Sequence, residues 1–327
     1  MTAGEPLRLG VLGAARITPM SLLRPVRRVG TATVVAVAAR DPARAGAFAA
    51  RHGIPRVHPS YEALLADPDV EAVYNPLPNS LHAVWTIRAL EGGKHVLCEK
   101  PFAANAAEAE AMAAAATRAG RVLMEAFHYR YHALFARMQG ILDAGELGTV
   151  RHLEATLCIP ILRPDDIRWR ADLAGGAMMD TGCYTMSILR HLARAEPDVV
   201  AARAIWTKGG VDRWLTADLR FPAARTARLT CALLSAALIR VSARVVGDAG
   251  TLGVINPIAP QFFHRLRLAT TAGRRVEHVA GAPSYDEQLR AFVAAVRDGA
   301  SFPTDASDAV ANMRAIDAVY AAARRSG

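Results

Sequence analysis

The sequence predicts an α/β domain with a doubly wound parallel sheet, followed by an α+β domain with a large open antiparallel sheet. Up to about residue 125, short apolar runs alternate with helix-like segments, as in parallel sheets covered by helices on both faces. Beyond that point, apolar runs are joined by turn residues, which favours antiparallel pairing. At 327 residues, the chain is long enough to form two cores.

The elements of the first half are bounded by local signals. The run Thr33–Ala39 is uncharged and partly β-branched, as expected of a strand buried on both faces. Asp41 followed by proline predicts a helix with Asp41 as its N-cap, and Ser80 and Asn105 are expected to cap two further helices. The other strands are expected at Leu7–Leu12, Val70–Tyr74, Lys94–Cys98 and Val122–Met124.

The second half has a different rhythm. Strands are expected at 150–159, 199–207, 214–221, 226–235, 238–247 and 262–270. Helices are expected at 180–194, 284–298 and 305–324. We therefore divide the chain into a first domain at 1–126 and a second at 127–327, with the helix at 305–324 packing back on the first domain.

Composition excludes several classes of partner. The net charge of +9 and pI of 9.9 raise the question of nucleic acid, but the arginines are dispersed and the aromatic fraction is only 6%. No run approaches the ~18 apolar residues of a membrane helix, and residues 1–8 lack the apolar part of a signal peptide. The cysteines are too far apart for a metal site or disulfide framework. We expect a cytoplasmic protein with no nucleic-acid, membrane or metal partner.

A glycine loop follows the first predicted strand. It reads Gly13-x-Ala15-x-x-Thr18, where the dinucleotide fingerprint has G-x-G-x-x-G. Gly13 meets the need for a tight turn, and Ala15 partly permits close approach of a pyrophosphate. Thr18 crowds the third position, but with Pro19 it makes a good helix start; an ordinary glycine turn is the alternative. The loop residues predicted to bind the cofactor are Gly13, Ala14, Ala15, Arg16 and Ile17.

The end of the second strand indicates which dinucleotide binds. NAD-binding proteins place an acid there for the ribose hydroxyls, whereas an arginine accommodates the 2′-phosphate of NADP. Ala39 occupies the expected position of the acid, Arg40 follows it, and Asp41 is assigned to the helix cap. Arg16 and Arg44 are expected to add positive charge, although Arg40 and Arg44 as plain surface charges is the alternative. NADP is therefore the expected cofactor, with NAD as the second choice.

Lysine is rare in this chain: Lys94, Lys100 and Lys208 are the three among 39 basic residues. Arginine does not lose its proton in proteins, whereas lysine is a compact charge whose pKa moves readily on burial. Lys100 lies in the motif Glu99-Lys100-Pro101, directly after a predicted buried strand. We interpret Lys100 as a catalytic residue; one surface cation among many is the alternative.

Asp180 and Tyr184 are four residues apart in a predicted helix, so they share one face. The pair Gly175-Gly176 before them would let the backbone approach a ligand closely. Oxidation of an alcohol by hydride loss needs a base for the hydroxyl proton, and Tyr184 is our candidate. A free tyrosine has a pKa of about 10, and the positive charges of Lys100 and of nicotinamide are expected to lower it. Asp180 would orient the substrate hydroxyl or Lys100; a core tyrosine and a helix N-cap are the alternatives.

Other side chains are candidates for the border of the site. Arg168 and Trp169 offer a forked cation and an aromatic face, which suit a sugar or polyol substrate, although a packed loop is equally compatible. His128 follows the sixth strand and is a second substrate candidate, with Arg130 beside it predicted to bind the cofactor. Tyr285 begins a late helix and is expected near the nicotinamide end.

Five motifs carry a resemblance to a known family: the glycine loop and residues 35–41, 76–82, 99–101 and 175–184. In this order and spacing they resemble the glucose–fructose oxidoreductase/inositol dehydrogenase (Gfo/Idh/MocA) family over essentially the whole chain. The branch looks closest to the dimeric dihydrodiol dehydrogenases and the NADP-linked pentose dehydrogenases. Many members carry Asp-x-x-x-His where this chain has Asp180-x-x-x-Tyr184, the variant of the glucose–fructose and dihydrodiol branches. That difference weakens an assignment as inositol dehydrogenase.

The resemblance implies further properties. Glu99-Lys100-Pro101 matches the family's active-site motif, often with a cis bond before the proline. A Rossmann domain is followed by an open sheet that often forms the face of a homodimer, so a homodimer or a dimer of dimers is expected. The residues that match cofactor-lining positions of the family are Leu77, Asn79, His82 and Glu99.

The expected function is an NADP-dependent oxidoreductase. It would transfer a hydride between nicotinamide and a secondary alcohol or carbonyl of a sugar, polyol or cyclic diol. Two alternatives stay open. One is glycoside elimination or hydrolysis through transient oxidation by tightly bound cofactor, and the other is a non-enzymatic NADP-binding sensor.

Overall fold

The structure, a computed structural model, describes residues 5–325. Over these residues the chain forms two compact units. The first contains the chain up to Phe127 together with Tyr285–Val310, and the second contains His128–Ser284 and the chain from Ala311 onward. A six-stranded sheet lies in the first unit and an eight-stranded sheet in the second.

The sheet of the first unit is parallel throughout, as the alternating pattern predicts. Its strands are β1 (Leu7–Leu12), β2 (Ala32–Ala38), β3 (Arg56–His58), β4 (Ala72–Asn75), β5 (His95–Cys98) and β6 (Leu123–Glu125). The order β3-β2-β1-β4-β5-β6 is that of a doubly wound dinucleotide-binding fold. The sequence prediction lacks β3, because three partly exposed residues give no periodic signal.

Helices connect these strands. They are α1 (Arg24–Val29), which continues a π-helical turn at Pro19–Leu23, and α2 (Pro42–His52), α3 (Tyr61–Leu65), α4 (His82–Glu91) and α5 (Ala106–Ala119). Two predicted caps are confirmed: Asp41 accepts hydrogen bonds from two backbone N–H groups of α2, and Asn105 accepts one from α5. The predicted Ser80 cap is wrong, because a 3-10 turn at Asn79–Leu81 precedes α4 and Leu81 takes the cap position.

The sheet of the second unit is mixed but mostly antiparallel. After α6 (Ala133–Asp143) come β7 (Val150–Cys158), α7 (Cys183–Ala193), β8 (Asp198–Trp206), β9 (Asp212–Phe221), β10 (Arg225–Ala232), β11 (Arg240–Gly247), β12 (Gly250–Ile255), β13 (Arg265–Thr270) and β14 (Gly273–Glu277). The strand order is β14-β13-β12-β11-β7-β10-β9-β8. Its centre differs from the antiparallel expectation, because β7 and β10 are parallel neighbours.

Two strands and one helix of this unit are absent from the sequence prediction. Glycines interrupt β12, and β14 is exposed and arginine-rich, so neither shows the expected alternation. The sequence prediction also lacks the helix α6. The predicted helix at 180–194 is present, but a π-helical turn at Met178–Gly182 precedes α7 and contains its first residues.

Two helices close the described chain, α8 (Ser284–Asp298) and α9 (Ala306–Arg325). The structure places nearly all of α8 with the first unit, whereas most of α9 belongs to the second. This differs from the predicted division, in which 305–324 was the segment that returned. Ion pairs join both ends of α8 to the rest of the first unit: Arg28 binds Asp286 with Nη2 and Oδ1 2.6 Å apart, and Arg297 binds Glu71 at 2.7 Å.

Substitution of Lys94 tests how much its buried hydrogen bonds stabilise the first unit. Its Nζ donates hydrogen bonds of 2.7 Å to the carbonyl oxygens of Asp67 and Val70, and burial lowers the pKa of Lys94. Lys94→Met is expected to lower the free energy of unfolding by about 1–3 kcal/mol, because buried carbonyls lose their donor. Urea unfolding measures this change.

The exposed Lys208 provides the matched control. Lys208→Met should stay within about 0.5 kcal/mol of the wild type, as surface substitutions usually do. Equal stability of the Lys94 variant and the wild type would contradict a structural role for this ammonium group.

Candidate active-site residues

The turn after β1 is built around Gly13. Its φ of +90° lies in a region that L side chains rarely adopt, and its N–H donates to Ala38 O at 2.6 Å. A Cβ at this position would stand 3.0 Å from Leu77 Cδ2. The backbone conformation therefore favours glycine here, as a tight dinucleotide turn demands, and a Cβ would also press on the end of the Leu77 side chain.

Thr18 stands where the dinucleotide fingerprint has its third glycine. It is fully buried with helical angles, φ −50° and ψ −42°, and directly precedes Pro19 in the π-helical turn. These angles place Thr18 at the start of the helical segment, so the predicted helix start is confirmed. The loop before it leaves Ala14, Ala15 and Ile17 partly exposed and Arg16 exposed.

The end of β2 lacks an acid for a ribose and provides arginines instead. Ala39 is buried, Arg40 is exposed, and the Arg40 N–H donates to Tyr61 OH at 3.2 Å. Arg44 reaches back to the glycine loop, where its Nη2 donates to Ala14 O at 3.1 Å. Because the Asp41 carboxylate serves as the α2 cap, these residues fit a dinucleotide that carries a 2′-phosphate.

A buried hydrogen-bond chain runs through the first unit to Glu99. Ser21 Oγ, on the helix after the glycine loop, lies 2.7 Å from Tyr74 OH, and Tyr74 OH donates to Glu99 Oε1 at 2.6 Å. Burial raises the pKa of Tyr74 well above its usual value, and the Glu99 charge acts in the same direction. The phenol is therefore fixed as a neutral donor. Sequence reasoning missed Tyr74, since a buried strand tyrosine gives no local sign of such a partner.

His82 braces the backbone on both sides of the predicted cofactor edge. Its Nδ1 lies 2.8 Å from Pro101 O and its Nε2 lies 2.7 Å from Leu77 O. Burial lowers the pKa of His82 to about 4, and the Lys100 charge acts in the same direction. The neutral ring carries one N–H, so it donates to only one of these two carbonyl oxygens at a time. His82 thus lies between the backbone of Leu77 and that of Pro101, and its role in lining the cofactor stays a prediction.

The remaining first-unit candidates surround this segment. Glu99 Oε2 accepts from the Lys100 N–H at 3.3 Å, and the Lys100–Pro101 peptide bond is cis. Asn79 lies partly exposed in the 3-10 turn before α4. Tyr285, in the first turn of α8, is buried, and its pKa is raised by burial and then by the charge of Glu99.

In the second unit, Arg168 holds Asp180. Arg168 Nε donates to Asp180 Oδ2 at 2.7 Å, and its Nη1 donates to Asp166 Oδ1 at 3.1 Å. The charge of Asp180 is the largest of the causes that raise the pKa of Arg168. Arg168 therefore fixes the carboxylate of a neighbouring site residue, and its role as a substrate contact stays a prediction.

Tyr184 lies one turn after Asp180 and is 8% exposed. Its ring meets the ring of His128 edge-on, with centroids 6.2 Å apart, and that of Tyr129 at 6.0 Å. Ser284 Oγ donates to Gln261, so it accepts from His128 Nδ1 at 2.8 Å. His128 is thereby held in one orientation beside Tyr184.

Two further predicted residues also belong to the second unit. The Arg130 guanidinium lies 5.4 Å from the centroid of the Phe135 ring, where it makes a cation–π contact. Its cofactor role stays a prediction. Trp169 is partly exposed in a 3-10 turn beside Arg168.

Some classes of site are not found in the described residues. Over 5–325, no group of histidine, cysteine and acidic residues could hold a metal ion. Within the same range, no helix has the length and apolar character needed to cross a membrane.

Known protein families match both halves of the chain. Residues 7–127 match the oxidoreductase family with an NAD-binding Rossmann fold, designated GFO_IDH_MocA. Residues 135–253 match the GFO/IDH/MocA C-terminal domain. Together the two matches cover most of both units.

Individual proteins are similar over two thirds of the chain or more. The chain is 38% identical over 322 residues to D-xylose 1-dehydrogenase (NADP(+)) 2 of Haloferax volcanii, covering 97% of each chain. It is 34% identical to trans-1,2-dihydrobenzene-1,2-diol dehydrogenase of Xenopus laevis, covering 68% of this chain and 66% of that one. A 3-ketoreductase from Actinomadura kijaniata, solved with NADP and TDP-benzene, is 30% identical with a TM-score of 0.91, covering 97% of this chain and 98% of that one.

Substitution of Arg40 tests whether the end of β2 recognises the 2′-phosphate of NADP. Arg40→Ala should weaken NADP binding by about 1.5–3 kcal/mol, the range for a hydrogen bond to a charged group, and leave NAD binding nearly unchanged. Calorimetric titration of both dinucleotides measures the difference. Arg51→Ala, which removes an exposed arginine near the end of α2, is the control. An equal loss for NAD and NADP would show that Arg40 does not recognise the 2′-phosphate.

Proposed function

The chain belongs to the Gfo/Idh/MocA oxidoreductase family, and on that premise we propose that it is an NADP-dependent oxidoreductase of sugars, polyols or cyclic diols. The reaction is hydride transfer between nicotinamide and a secondary alcohol or its carbonyl. The relatives named as a D-xylose dehydrogenase and a dihydrodiol dehydrogenase support this substrate class, because both names denote ring compounds with neighbouring oxygens.

One observation carries the proposal: the dinucleotide loop and the Glu99-Lys100 motif are joined by buried hydrogen bonds within one unit. Ser21 follows the loop, and through Tyr74 it is connected to Glu99. A nicotinamide-binding loop coupled to a lysine-bearing motif suits proton-linked redox chemistry. A sensor that only binds NADP would not need that motif.

The proposed mechanism divides the work among three side chains. When bound, NADP serves as the hydride acceptor or donor. Tyr184 takes the hydroxyl proton as the alcohol is oxidised and returns it in the reverse direction. Lys100 favours the ionised form of Tyr184 by its charge, and Asp180, held by Arg168, orients the substrate hydroxyl.

Variants of the similar 3-ketoreductase support these assignments. Its solved structures include one tyrosine-to-phenylalanine variant and two variants of a single lysine, replaced by alanine or glutamate. The replaced tyrosine and lysine are separated by the same number of residues as Tyr184 and Lys100 here. The same two positions therefore deserve replacement in this chain.

A cofactor-reduction screen tests the proposed reaction. Purified protein is incubated with NAD⁺ or NADP⁺ and with aldoses, inositols or dihydrodiols, and NADPH or NADH formation is followed by absorbance. The expected result is faster reduction of NADP⁺ with a subset of these alcohols. Conversion of a glycoside without net cofactor reduction would instead favour the elimination or hydrolysis alternative.

Kinetic measurements on variants distinguish the roles of Tyr184 and Lys100. Tyr184→Phe should keep NADP binding but lower turnover by ~10²–10⁴-fold, the usual weight of one acid–base group. Tyr129→Phe is the matched control, because Tyr129 contacts Tyr184 but its hydroxyl donates to Ser187. Near-normal turnover of Tyr184→Phe would exclude Tyr184 as the base.

The pH dependence of the same reaction assigns the base. If Tyr184 is the base, Lys100→Met should move the rise of the oxidation rate to higher pH, because the activating charge is gone. If Lys100 itself takes the proton, that rise should disappear in Lys100→Met and persist in Tyr184→Phe. Lys100→Arg keeps the charge but not the size, and is expected to be severely impaired.

We also propose that the second-unit sheet forms a homodimer. Leu238 and Ile239 before β11 are 61% and 72% exposed, and Phe262 and Phe263 before β13 are 67% and 58% exposed. Since β11 and β13 are each antiparallel to β12, both pairs precede the same end of the sheet. Exposed apolar clusters of this kind favour association.

Sedimentation at micromolar concentration is expected to give about twice the monomer mass of 34.9 kDa, or a dimer of dimers. Charged substitution by Ile239→Asp with Phe262→Asp should shift the protein towards monomer. Val57→Asp, on the edge of the other sheet, should not. A wild-type monomer would contradict the proposal.

The proposal includes a cytoplasmic location. The four cysteines are buried and form no disulfide, as is usual in a reducing compartment. Burial raises the pKa of the Cys158 thiol, which keeps it protonated and slow to oxidise.

A further inference from the structure

The helical segment that carries Asp180 and Tyr184 begins without a cap of its own. Its N-cap residue, Ala177, makes no side-chain hydrogen bond, yet buried N–H groups at a helix start need acceptors. The acceptor comes from a strand of the sheet: Asp212 Oδ2, at the start of β9, accepts from the Met178 N–H at 2.8 Å. We propose that Asp212 is the positioning residue for Asp180 and Tyr184, an inference that rests on the proposed function.

Asp212 is itself fixed from several sides. It is 1% exposed, and Tyr320 OH on α9 donates to its Oδ1 at 2.8 Å. The Tyr320 ring lies 6.0 Å from that of Trp206, the residue that pairs with Asp212 between β8 and β9. A carboxylate held by the sheet and by α9 can transmit their rigidity to the helix start.

The glycines before the helix fit this arrangement. Gly176 has a φ of +118°, and a Cβ there would overlap Asp212 Oδ1 and lie 3.1 Å from Tyr320 OH. A Cβ at Gly175 would overlap the Arg168 carbonyl oxygen. The space beside Gly175-Gly176, which the sequence reading gave to a ligand, is therefore occupied by the protein.

Two short sets of contacts connect Asp212 to Asp180, and both pass through Gly176. The Asp180 N–H donates to Gly176 O at 3.0 Å, and Gly176 lies against the Asp212 carboxylate. The Gly176 N–H donates to Arg168 O at 2.9 Å, and the Arg168 guanidinium binds the Asp180 carboxylate. Asp212 and the Arg168 segment thus clamp the chain entering the π-helical turn.

The ionised form of Asp212 is required for this role, because the groups around it are donors. Burial raises the pKa of Asp212 to about 6, although the Met178 N–H and Tyr320 OH favour ionisation. The other titratable groups that face it are Tyr320 and Cys231, whose pKa values burial raises well above their usual ranges, so both stay neutral. Below the rise of the rate that the catalytic base sets, turnover should therefore show a separate acid-side fall as the pH drops through about 6.

Stability should respond to pH in the opposite direction. A carboxylate whose folded pKa is raised takes up a proton on folding, so its contribution to the free energy of unfolding increases as the pH falls from about 6 towards 4. Comparison of wild type with Asp212→Asn isolates this contribution. Turnover that falls while this contribution rises indicates positioning, since a merely structural role would make both change together.

The experiment compares Asp212→Asn with Asp218→Asn, an exposed aspartate on the same strand. Asp212→Asn is expected to lower kcat on the order of 10²-fold, as misplacement of a catalytic group does, while NADP affinity stays within about twofold of wild type. Hydrogen exchange at amides 178–184 should be faster at the same pH. Tyr320→Phe removes a donor, so it should move the acid-side fall of turnover to higher pH. Asp218→Asn should change none of these.

The outcomes separate the inference from the proposed function. Wild-type kcat and wild-type exchange in Asp212→Asn would overturn the positioning role. If the wild type reduces no cofactor with any substrate, the proposed function fails, but exchange at 178–184 still decides whether Asp212 holds the helix start. If Asp212→Asn does not fold, an unmoved acid-side fall in Tyr320→Phe overturns the inference.

Discussion

A carboxylate removed from water must receive hydrogen bonds from the protein, and this constraint organises both units. Glu99 receives one from Tyr74, so the residue before Lys100 is fixed to the sheet. Asp180 receives one from Arg168, and Asp212 receives one from the start of the helix that carries Asp180. Each donor is placed by a different element, so the geometry of these side chains depends on tertiary structure.

The first unit was largely predictable because its signals are local. Buried strands, capping residues and the glycine turn at Gly13 each act within a few residues, and their order matches a doubly wound sheet. The centre of the second sheet was not predictable in this way. The parallel pairing of β7 with β10 depends on the path of the chain between them, which no residue pattern within either strand records.

The candidate site shows the same division. The rarity of lysine singled out Lys100, yet Lys94 is equally rare and has a structural explanation in its two carbonyl partners. Rarity therefore identified candidates, and the surrounding motif distinguished them. The pairing of Arg168 with Asp180 was not predicted, because the two residues are twelve apart in sequence, where helical spacing gives no information. Asp212 is more distant still and has no recognisable motif around it.

The glycines near the predicted site show how ambiguous a sequence signal can be. A glycine before a predicted site residue has two explanations, a ligand close to the backbone or a protein atom in the same place, and the sequence does not distinguish them. At Gly13 the nearest atom is Leu77 Cδ2, whereas at Gly176 the place of a Cβ is taken by the Asp212 carboxylate. Gly175 and Gly176 therefore leave room for protein atoms that position a helix. The residue whose side chain fills the place of the missing Cβ, here Asp212, is thus as informative about the candidate site as the glycine itself.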